Sequence, residues 1–414
     1  MFTSVLKNHL AVRAPALYGA LRCFKKLTRS DIVPDMQFRP VYRVSSENPA
    51  RINLVLPPIS SRNVFGGVAT AFTVLGGLIS SGARVRILCE SRCPRVPDVE
   101  WLLRSYSGDV NYSSLEVVPM RQQIPISVEE VDRFIVTSWR TAYIIQQMYA
   151  NLRHQDGFKT WPLVYLIQDY EAGFYPWSSE FVLAMSTYQW DGDVIRLFNS
   201  EELRQYIQHR HGGGGMSYVM SPVLNNVLRE EIAKSEHVGL RKKKRLVVYG
   251  RPSIPRNAFE LCVAALRLWA REYPDSNSWE VVSVGESHAD QALGNGLTLK
   301  SLGQLSLENY AQLLLESSVG LSLMISPHPS YPPLEMALCG MTVITNSFET
   351  KSWSRSGERI SVLDVLTPDR IAASLADACF NNQRNAVASV DWSFMNTATD
   401  FNGLFGKLKR DLCL

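Results

Sequence analysis

Two kinds of hydrophobic pattern alternate along most of the chain. Short apolar runs of strand length are each followed by a segment whose apolar positions recur at helical spacing. In the first half the predicted strands are INLVLPP, RVRILCE, LEVVPM, RFIVTS, LVYLIQD and DVIRLFNS, and the predicted helices cover 66–81, 98–106, 139–152, 178–190 and 201–210. Alternation of this kind predicts a mostly parallel sheet covered by helices on both faces.

The alternation stops after residue 210 and starts again near residue 246. The intervening segment, HRHGGGGMSYVMSPVLNNVLREEIAKSEHVGLRKKKR, has a run of four glycines, a proline and a basic cluster, which predicts the end of one domain and a connection. The strands predicted after it are LVVYGRP, WEVVSVG, VGLSLMIS, MTVITN and ISVLD, and the helices cover 257–272, 307–317 and 368–379. A chain of 414 residues is too long for one core, so we predict two Rossmann-like α/β domains, 51–225 and 226–390.

The composition is typical of a soluble globular protein, with 46% apolar and 20% charged residues. A net charge of +4 is too small to indicate a nucleic-acid partner. The seven cysteines include no CxxC pair, and Cys89 and Cys93 form CxxxC, which indicates reduced thiols in the cytoplasm. No apolar run approaches the ~18 residues that a membrane-spanning helix needs.

The segment 1–30 is basic and weakly amphipathic. Its six bases stand without any acid and interrupt every apolar stretch, which argues against a signal peptide; they are Lys7, Arg13, Arg22, Lys25, Lys26 and Arg29. Such a segment could bind an anionic membrane surface. Alternatively, residues 1–50 form a helical extension that packs on the first domain. The sequence leaves both open.

Candidate functional residues stand at the ends of predicted strands. Open α/β sheets bind ligands beyond the carboxyl ends of their strands, so these exits are where a site is expected. The first exit carries Gly66 and Gly67, another carries Gln168, Asp169 and Tyr170, and two more lead to Arg251 and to the proline-rich stretch before Glu335. Loops are commonly rich in such residues, so composition alone favours a structural role.

The stretch YGRPSIPRNAFEL places two arginines before a helix predicted to begin near Asn257. The guanidinium groups of Arg251 and Arg256, the free backbone N–H groups and the positive end of the helix dipole together form an anion site. A pyrophosphate suits that geometry. The alternative is two surface arginines in a loop.

The acid at Glu335 follows SPHPSYPPL and is predicted in the first turn of a helix that starts near Pro333 or Leu334. The helix dipole favours an acid at that position for stability alone. A carboxylate also accepts two hydrogen bonds from a vicinal diol, as acidic residues do for ribose in dinucleotide sites. Together with the arginines, it predicts a nucleotide site.

Several motifs occur in the order found in a known enzyme family. The stretches GGVATAFTVLGGLISSGARVRIL, GRPSIPRNAFELCVAAL and SPHPSYPPLEMALCGMTVITN resemble GT-B glycosyltransferases of the retaining family 4 type, and the resemblance covers roughly residues 50–380. The segment IQDYEAGFYPWSSEFVLAMSTY is similar to bacterial rhamnosyltransferases that build surface polysaccharide or S-layer glycans from dTDP-L-rhamnose.

The resemblance implies two Rossmann-like domains that face each other across a cleft, with helices in 391–414 crossing back to the first domain. It implies transfer of a deoxyhexose, without a metal cofactor, to a lipid-linked glycan. The residues that it assigns to the donor nucleotide are Gly66, Gly67, Arg251, Arg256, Ser330, Tyr331, Leu334 and Glu335. Catalysis falls to Asp169, Arg251 and Arg256, and contact with the sugar or acceptor falls to Gln168, Asp169 and Tyr170.

Two positions depart from the family pattern. Gln168 stands in place of the family's histidine, and Pro327 stands in place of the first of two glutamates. The missing acid leaves room for a non-catalytic sugar-nucleotide-binding or scaffold protein, and a nucleotide-sugar epimerase is a further alternative on the same fold. Two apparent metal motifs, WDGD at 190–193 and HRH at 209–211, are interpreted as a turn and a loop.

Overall fold

The computed structural model describes residues 38–45, 50–58, 67–79, 82–91, 93–108, 111–122, 124–154, 160–212, 214–220, 224–235, 240–353, 359–382, 389–394 and 401–414. The basic segment 1–30 and Gly66 lie outside the described residues. The described residues form two α/β domains, each built on a seven-stranded sheet.

The first domain is built on an entirely parallel sheet. The strands of this domain are β1 (Tyr42–Ser45), β2 (Arg51–Leu56), β3 (Ala83–Cys89), β4 (Tyr112–Pro119), β5 (Ile126–Glu129), β6 (Arg133–Val136), β7 (Leu163–Ile167), β8 (Val194–Phe198) and β9 (Met216–Val219). β1 pairs with β5 as a separate ribbon, and the other seven run in the order β4-β3-β2-β6-β7-β8-β9. Every residue of β2, β7 and β8 is buried, as expected for parallel strands covered on both faces.

Five helices of the first domain follow strands. They are α1 (Gly67–Leu78), α2 (Val96–Ser107), α3 (Trp139–Arg153), α4 (Ser179–Tyr188) and α5 (Glu201–His211). Serine side chains at Ser138, Ser178 and Ser200 accept backbone N–H groups in the first turns of α3, α4 and α5. These caps set the helix starts within a residue of the predicted positions.

The second domain repeats this arrangement with one exception. Its strands are β10 (Lys243–Gly250), β11 (Glu280–Gly285), β12 (Gln291–Gly294), β13 (Leu297–Gly303), β14 (Ser317–Leu321), β15 (Thr342–Asn346) and β16 (Ile360–Leu363), in the order β12-β13-β11-β10-β14-β15-β16. β12 is antiparallel to β13 and the remaining pairs are parallel. The helices are α6 (Asn226–Ser235), α7 (Phe259–Glu272), α8 (Leu307–Glu316), α9 (Tyr331–Leu338) and α10 (Pro368–Asn381).

The segment predicted as a connection contains two regular elements. β9 closes the edge of the first sheet, and α6 packs Leu228 and Ile232 into the apolar core of the second domain. The short strands β1, β5, β12 and β13 were also not predicted. They lie in a separate ribbon or at a sheet edge, where exposed positions interrupt the apolar run that marks a central strand.

The basic run RKKKR is not a solvated linker. Lys242 is buried, and its Nζ donates to the carbonyl oxygens of Ser317 at 2.6 Å and Cys339 at 2.9 Å. Burial lowers the pKa of Lys242 to about 8. Lys243 begins β10 and pairs with Glu316, so the run is part of the second sheet.

The C-terminal helix α11 (Phe401–Leu412) lies on the first domain. Phe405 and Leu408 are buried against α1, and Arg133 Nε donates to the carbonyl of Leu412 at 2.7 Å. Phe405 occupies the space that a side chain at Gly77 would fill. The chain before this helix, at 389–394, packs on the second domain, so the two domains are linked twice.

No helix within the described ranges combines the length and the apolar character needed to cross a lipid bilayer.

Candidate active site

The two domains meet at Asp169, directly after β7. Its Oδ1 accepts the Tyr170 N–H at 2.8 Å and the hydroxyl of Ser326, and its Oδ2 lies 3.2 Å from Arg256 Nε. Ser326 and Arg256 follow β14 and β10 of the second domain. The carboxyl ends of parallel strands from the two sheets therefore face each other, which is where open α/β folds bind ligands.

Arg256 is held from both sides. It lies in a short 3₁₀ turn, Pro255–Asn257, and its carbonyl accepts the N–H of Ile325 at 2.7 Å. Its guanidinium carbon lies 4.1 Å from the centre of the Phe174 ring, on the first domain. The α-helix begins two residues later than the predicted Asn257, because Ala258 takes a left-handed conformation with φ 48°. Arg256 therefore precedes the helix and reaches into the cleft.

Arg251 follows β10 and lies beside the hydroxyl of Tyr249. Burial raises the pKa of Tyr249, while the charges of Arg251 and Arg256 and a hydrogen bond with Arg251 oppose that rise and Glu335 reinforces it. Arg251, Arg256 and Glu335, three residues predicted for the donor, thus all lie within electrostatic reach of one tyrosine. Gly285, with φ 122°, makes this possible, since a Cβ there would lie 3.1 Å from Arg251 Cγ.

Glu335 lies in the second turn of α9, not in the first turn as predicted. The helix starts at Tyr331 because Pro332 and Pro333 fit the first turn, where backbone N–H groups have no intrahelical partner. Glu335 Oε2 accepts the hydroxyl of Tyr310 at 3.0 Å. Burial raises the pKa of Glu335 to about 7, against the opposing effect of that hydrogen bond.

The other predicted donor residues of this helix precede Glu335. Ser330 is buried at the N-cap, but its side chain makes no capping hydrogen bond. The Tyr331 ring lies 5.9 Å from the His328 ring, and Leu334 packs on the core of the second domain. Their contact with a ligand stays a prediction.

Gln168 and Gly67 lie together at the first-domain side of the cleft. Gln168 Nε2 donates to the Gly67 carbonyl at 3.1 Å, and a Cβ on Gly67 would come within 3.0 Å of the same nitrogen. Asn199 Nδ2 donates to the Gln168 carbonyl at 2.9 Å. The start of α1 is thereby tied to the exits of β7 and β8.

Tyr170 packs into the core of the first domain. It is 6% exposed, stacks on Tyr188, and its hydroxyl lies 3.2 Å from His211 Nε2. The ring thus belongs to an aromatic cluster of the first core, and the predicted contact of Tyr170 with a sugar stays a prediction. His211, one of the two histidines considered for a metal, is a partner of this ring.

Sequence reasoning missed two buried bases beside the cleft. His328 is buried, its Nε2 has no hydrogen-bond partner among the described residues, and burial lowers its pKa to about 4. Lys351 Nζ donates to the Met324 carbonyl at 2.6 Å, and burial lowers the pKa of Lys351 to about 7 against the pull of Asp169. His328 lies in the proline-rich stretch before Glu335 but was not singled out there, and no motif along the chain marks Lys351.

Glu171 is a third group that was not predicted. It accepts the backbone N–H of Trp139 at the start of α3, and burial raises its pKa to about 7. Asp169 adds to that rise and Arg256 opposes it, which places Glu171 within electrostatic reach of the interdomain ion pair. In the part of the chain that the structure describes, no group of three or more His, Cys, Asp or Glu residues lies close enough to hold a metal ion.

Several solved structures have a similar fold over most of this chain. The crystal structure of Anabaena Alr3699/HepE in complex with UDP and glucose has a TM-score of 0.54 and 13% identity, over 86% of this chain and 94% of that chain. Sucrose-phosphate synthase (tll1590) from Thermosynechococcus elongatus has a TM-score of 0.53 and 11% identity, over 88% and 99%. The predicted GT-B fold is confirmed.

A curated relative is similar in sequence over part of its length. It is the O-antigen biosynthesis protein RfbC of Myxococcus xanthus, 32% identical over 256 residues. The match covers 62% of this chain but only 18% of that protein, so the chain spans less than a fifth of its relative.

Two family models match the two domains in order. Residues 51–201 match the model described as "WsaF, N-terminal domain", and residues 244–376 match "WsaF, C-terminal domain". Together they account for more than half of the chain, which therefore belongs to the WsaF family and has a GT-B fold.

Proposed function

We propose that the chain is a glycosyltransferase of surface-polysaccharide biosynthesis that uses a nucleotide-sugar donor. The observation that carries this proposal is the contact of Asp169 with Arg256 and Ser326, at facing strand ends of the two WsaF domains. The sequence similarity to an O-antigen biosynthesis protein and the fold of a structure that contains UDP and glucose support it.

The geometry suits departure of a nucleoside diphosphate. Transfer of a sugar leaves negative charge on the diphosphate, and Arg251 and Arg256 supply positive charge at one end of the cleft. Arg256 is paired with Asp169, so a diphosphate competes with that carboxylate for the guanidinium. Donor binding therefore frees Asp169 to orient an incoming hydroxyl and to take its proton.

Glu335 is assigned to the nucleoside. Its second carboxylate oxygen remains available for a sugar diol after Tyr310 has bound the first. Because its pKa is about 7, the ionised form that accepts two hydrogen bonds is the main form only above neutral pH or with ligand bound.

The finer assignment rests on the resemblance of 167–188 to rhamnosyltransferases. We propose L-rhamnose from dTDP-L-rhamnose as the transferred sugar, with retention of configuration, a lipid-linked glycan as acceptor and no metal cofactor. The basic segment 1–30 is proposed to lie on the anionic inner face of the cell membrane.

Thermal melting with dTDP, UDP, GDP and ADP, and with their sugar forms, tests the donor. A ligand at a hundred times its Kd adds about 2.7 kcal/mol, which is a clear shift of the melting temperature. We expect a dTDP-selective shift that EDTA does not change, release of dTDP when acceptor is added, and retained anomeric configuration by NMR. A shift without turnover would instead indicate a sugar-nucleotide-binding protein, and no shift with any nucleotide would reject the donor site.

A further inference from the structure

An exposed and a half-buried aromatic ring stack beside the cleft, one on the loop between β7 and α4 and the other on the first turn of α4. Trp177 is 92% exposed, and its ring lies 5.8 Å from that of Phe181 with 12° between the planes. The adjoining Val182 is 60% exposed. We call Trp177 and Phe181 the aromatic platform. Exposed apolar groups that lie together commonly mark a binding site.

The platform is held in place by its neighbours. Ser178 caps α4 by accepting the N–H of Phe181 at 3.3 Å, which fixes the helix that carries the second ring. Tyr175, two residues before Trp177, accepts a hydrogen bond from Trp139 Nε1 at 3.0 Å. Pro176 restricts the backbone between them. A rigid aromatic surface binds a ligand with little loss of conformational entropy.

The platform is continuous with the cleft. Phe174 lies under the Arg256 guanidinium, at 4.1 Å from its ring centre to the guanidinium carbon, and Arg256 pairs with Asp169. Trp177 is three positions after Phe174 along the chain, a span of at most about 10 Å. A chain of sugars with its terminal hydroxyl at Asp169 is therefore long enough to pass Phe174 and reach Trp177.

The charge of this segment selects the kind of ligand. The sequence has no Lys or Arg from residue 160 to residue 195, and the charged residues of the loop and helix are Asp169, Glu171 and Glu180, all acidic. An anionic lipid surface or a polyanion would meet the acids of this segment and no cation of its own, and the nearby Arg256 is already paired with Asp169. A neutral sugar fits better, because its apolar C–H face packs on an aromatic ring while the indole N–H remains available to a hydroxyl.

We infer that Trp177 and Phe181 bind a neutral pyranose unit of the acceptor glycan, beyond the sugar that reacts at Asp169. This inference rests on the proposed function and adds to it a subsite for the acceptor. It follows that the enzyme prefers oligosaccharide acceptors to single sugars.

The test compares acceptors of different length in the wild type and in Trp177→Ala. The probes are neutral O-antigen oligosaccharides fractionated into mono-, di- and tetrasaccharides. We expect the KM for the tetrasaccharide to rise about tenfold, the order of one aromatic contact, with little change in kcat or in the monosaccharide reaction. Trp177→Phe keeps a ring at this position and restores most of the affinity.

Trp101 provides a matched control. It is 62% exposed on α2, so Trp101→Ala removes an exposed indole of the same protein elsewhere. This variant is expected to keep the wild-type KM at every acceptor length. Because Trp177 is almost fully exposed, the melting temperature of Trp177→Ala should equal that of the wild type, which separates lost binding from unfolding.

Three results would overturn the platform. One is an unchanged KM for all acceptor lengths in Trp177→Ala. The second is a blue shift of tryptophan fluorescence with phosphatidylcholine vesicles that Trp177→Ala abolishes while oligosaccharide binding persists. The third is a dimer in sedimentation that the same variant dissociates.

Calorimetric titration of the tetrasaccharide without donor separates this inference from the proposed function. If the tetrasaccharide binds only when Trp177 is present but the protein turns over no donor, the acceptor subsite is supported and the proposed transferase activity is rejected. Turnover with an acceptor that binds equally well without the indole supports the transferase and rejects the platform.

Discussion

Asp169 of the first domain and Arg256 of the second form an ion pair across the cleft, with Oδ2 and Nε 3.2 Å apart. Both side chains are mostly shielded from solvent, at 13% and 25% exposure, and Ser326 adds a hydrogen bond to the same carboxylate. A group that joins the domains is thus also the group proposed to orient the acceptor hydroxyl. Mutations of Asp169 and Arg256 can therefore separate the contribution to domain contact from the contribution to turnover.

Replacing Asp169 by asparagine removes the charge but keeps an oxygen for Ser326 and the Tyr170 N–H. We expect turnover of donor with acceptor to fall by about 10²–10³, because an oriented charge is lost at the reacting centre. The dTDP-induced rise in melting temperature should be kept or increased, since Arg256 is then free for the diphosphate. Equal loss of nucleotide binding and turnover would contradict the proposed role of Asp169 with the acceptor.

The two arginines differ in their contacts, and so should their variants. Arg251→Ala leaves the Asp169–Arg256 pair intact and is expected to lose the melting shift caused by dTDP but not that caused by thymidine. Arg256→Gln loses the same shift and also the interdomain pair, so the free energy of unfolding falls as well. Arg271→Ala, which alters an exposed pair with Glu272 on α7, is the control and should match the wild type. A shift by dTDP that persists in both site variants would exclude a diphosphate at this position.

Glu335→Gln should change how stability depends on pH. The pKa of Glu335 is raised from 4.5 to about 7, so the protonated form favours the fold. That contribution is fully present below pH 4.5 and is lost as the pH rises through about 7. Glutamine does not ionise, so the variant should be more stable than the wild type at pH 8, by at most about 3 kcal/mol, and equally stable at pH 4.5.

Melting curves of the ligand-free protein between pH 4.5 and pH 8 measure this difference. A difference that does not vary with pH would show that Glu335 does not titrate in this range. In the same variant the nucleotide-induced shift at pH 8 should be smaller, because an amide accepts fewer hydrogen bonds from a diol than a carboxylate does.

Gly77→Ala tests the packing of the C-terminal helix on the first domain. The new Cβ would lie 2.1 Å from the Phe405 ring, so the ring or the whole helix must move. We expect a loss of about 1–3 kcal/mol in the free energy of unfolding and faster amide exchange over 401–412. Gly406 lies on α11, and a Cβ added there would have Arg410 Nη1 as its nearest neighbour, at 3.8 Å. Because that space is open, Gly406→Ala should raise the free energy of unfolding by up to about 1 kcal/mol. Equal effects of the two variants would mean that α11 does not rest on α1.

The central strands of both sheets were predictable because local signals agree with the fold. Central strands such as β7 and β8 are buried along their whole length, so each appears as one apolar run bounded by polar residues. Serine caps and a continuous apolar face mark the helices that follow. The start of α9 was misplaced because Tyr331 precedes two prolines, and a helix can begin before, at or after such a pair.

Some single residues were predicted wrongly because they are buried although their neighbours in the sequence are polar or charged. Lys242 lies in a run of five bases that looks solvated, but four carbonyl oxygens accept its ammonium inside the second domain. His328, within the proline-rich stretch, and Lys351, which has no motif around it, are both buried near the cleft. Nothing in the neighbouring sequence indicates that these polar groups are enclosed, since the enclosing atoms come from distant segments.

The sequence by itself determined the α/β class, the two domains and the strand ends that carry the candidate chemistry. These follow from periodicity and turn residues, which reflect the backbone sterics and burial of near neighbours. The tertiary structure alone decided that Asp169 pairs with Arg256, that Tyr170 turns into the core and that Trp177 stays exposed beside the cleft. Such contacts depend on how residues far apart in the sequence pack against each other in the folded protein. No local pattern along the chain encodes which of these residues meet.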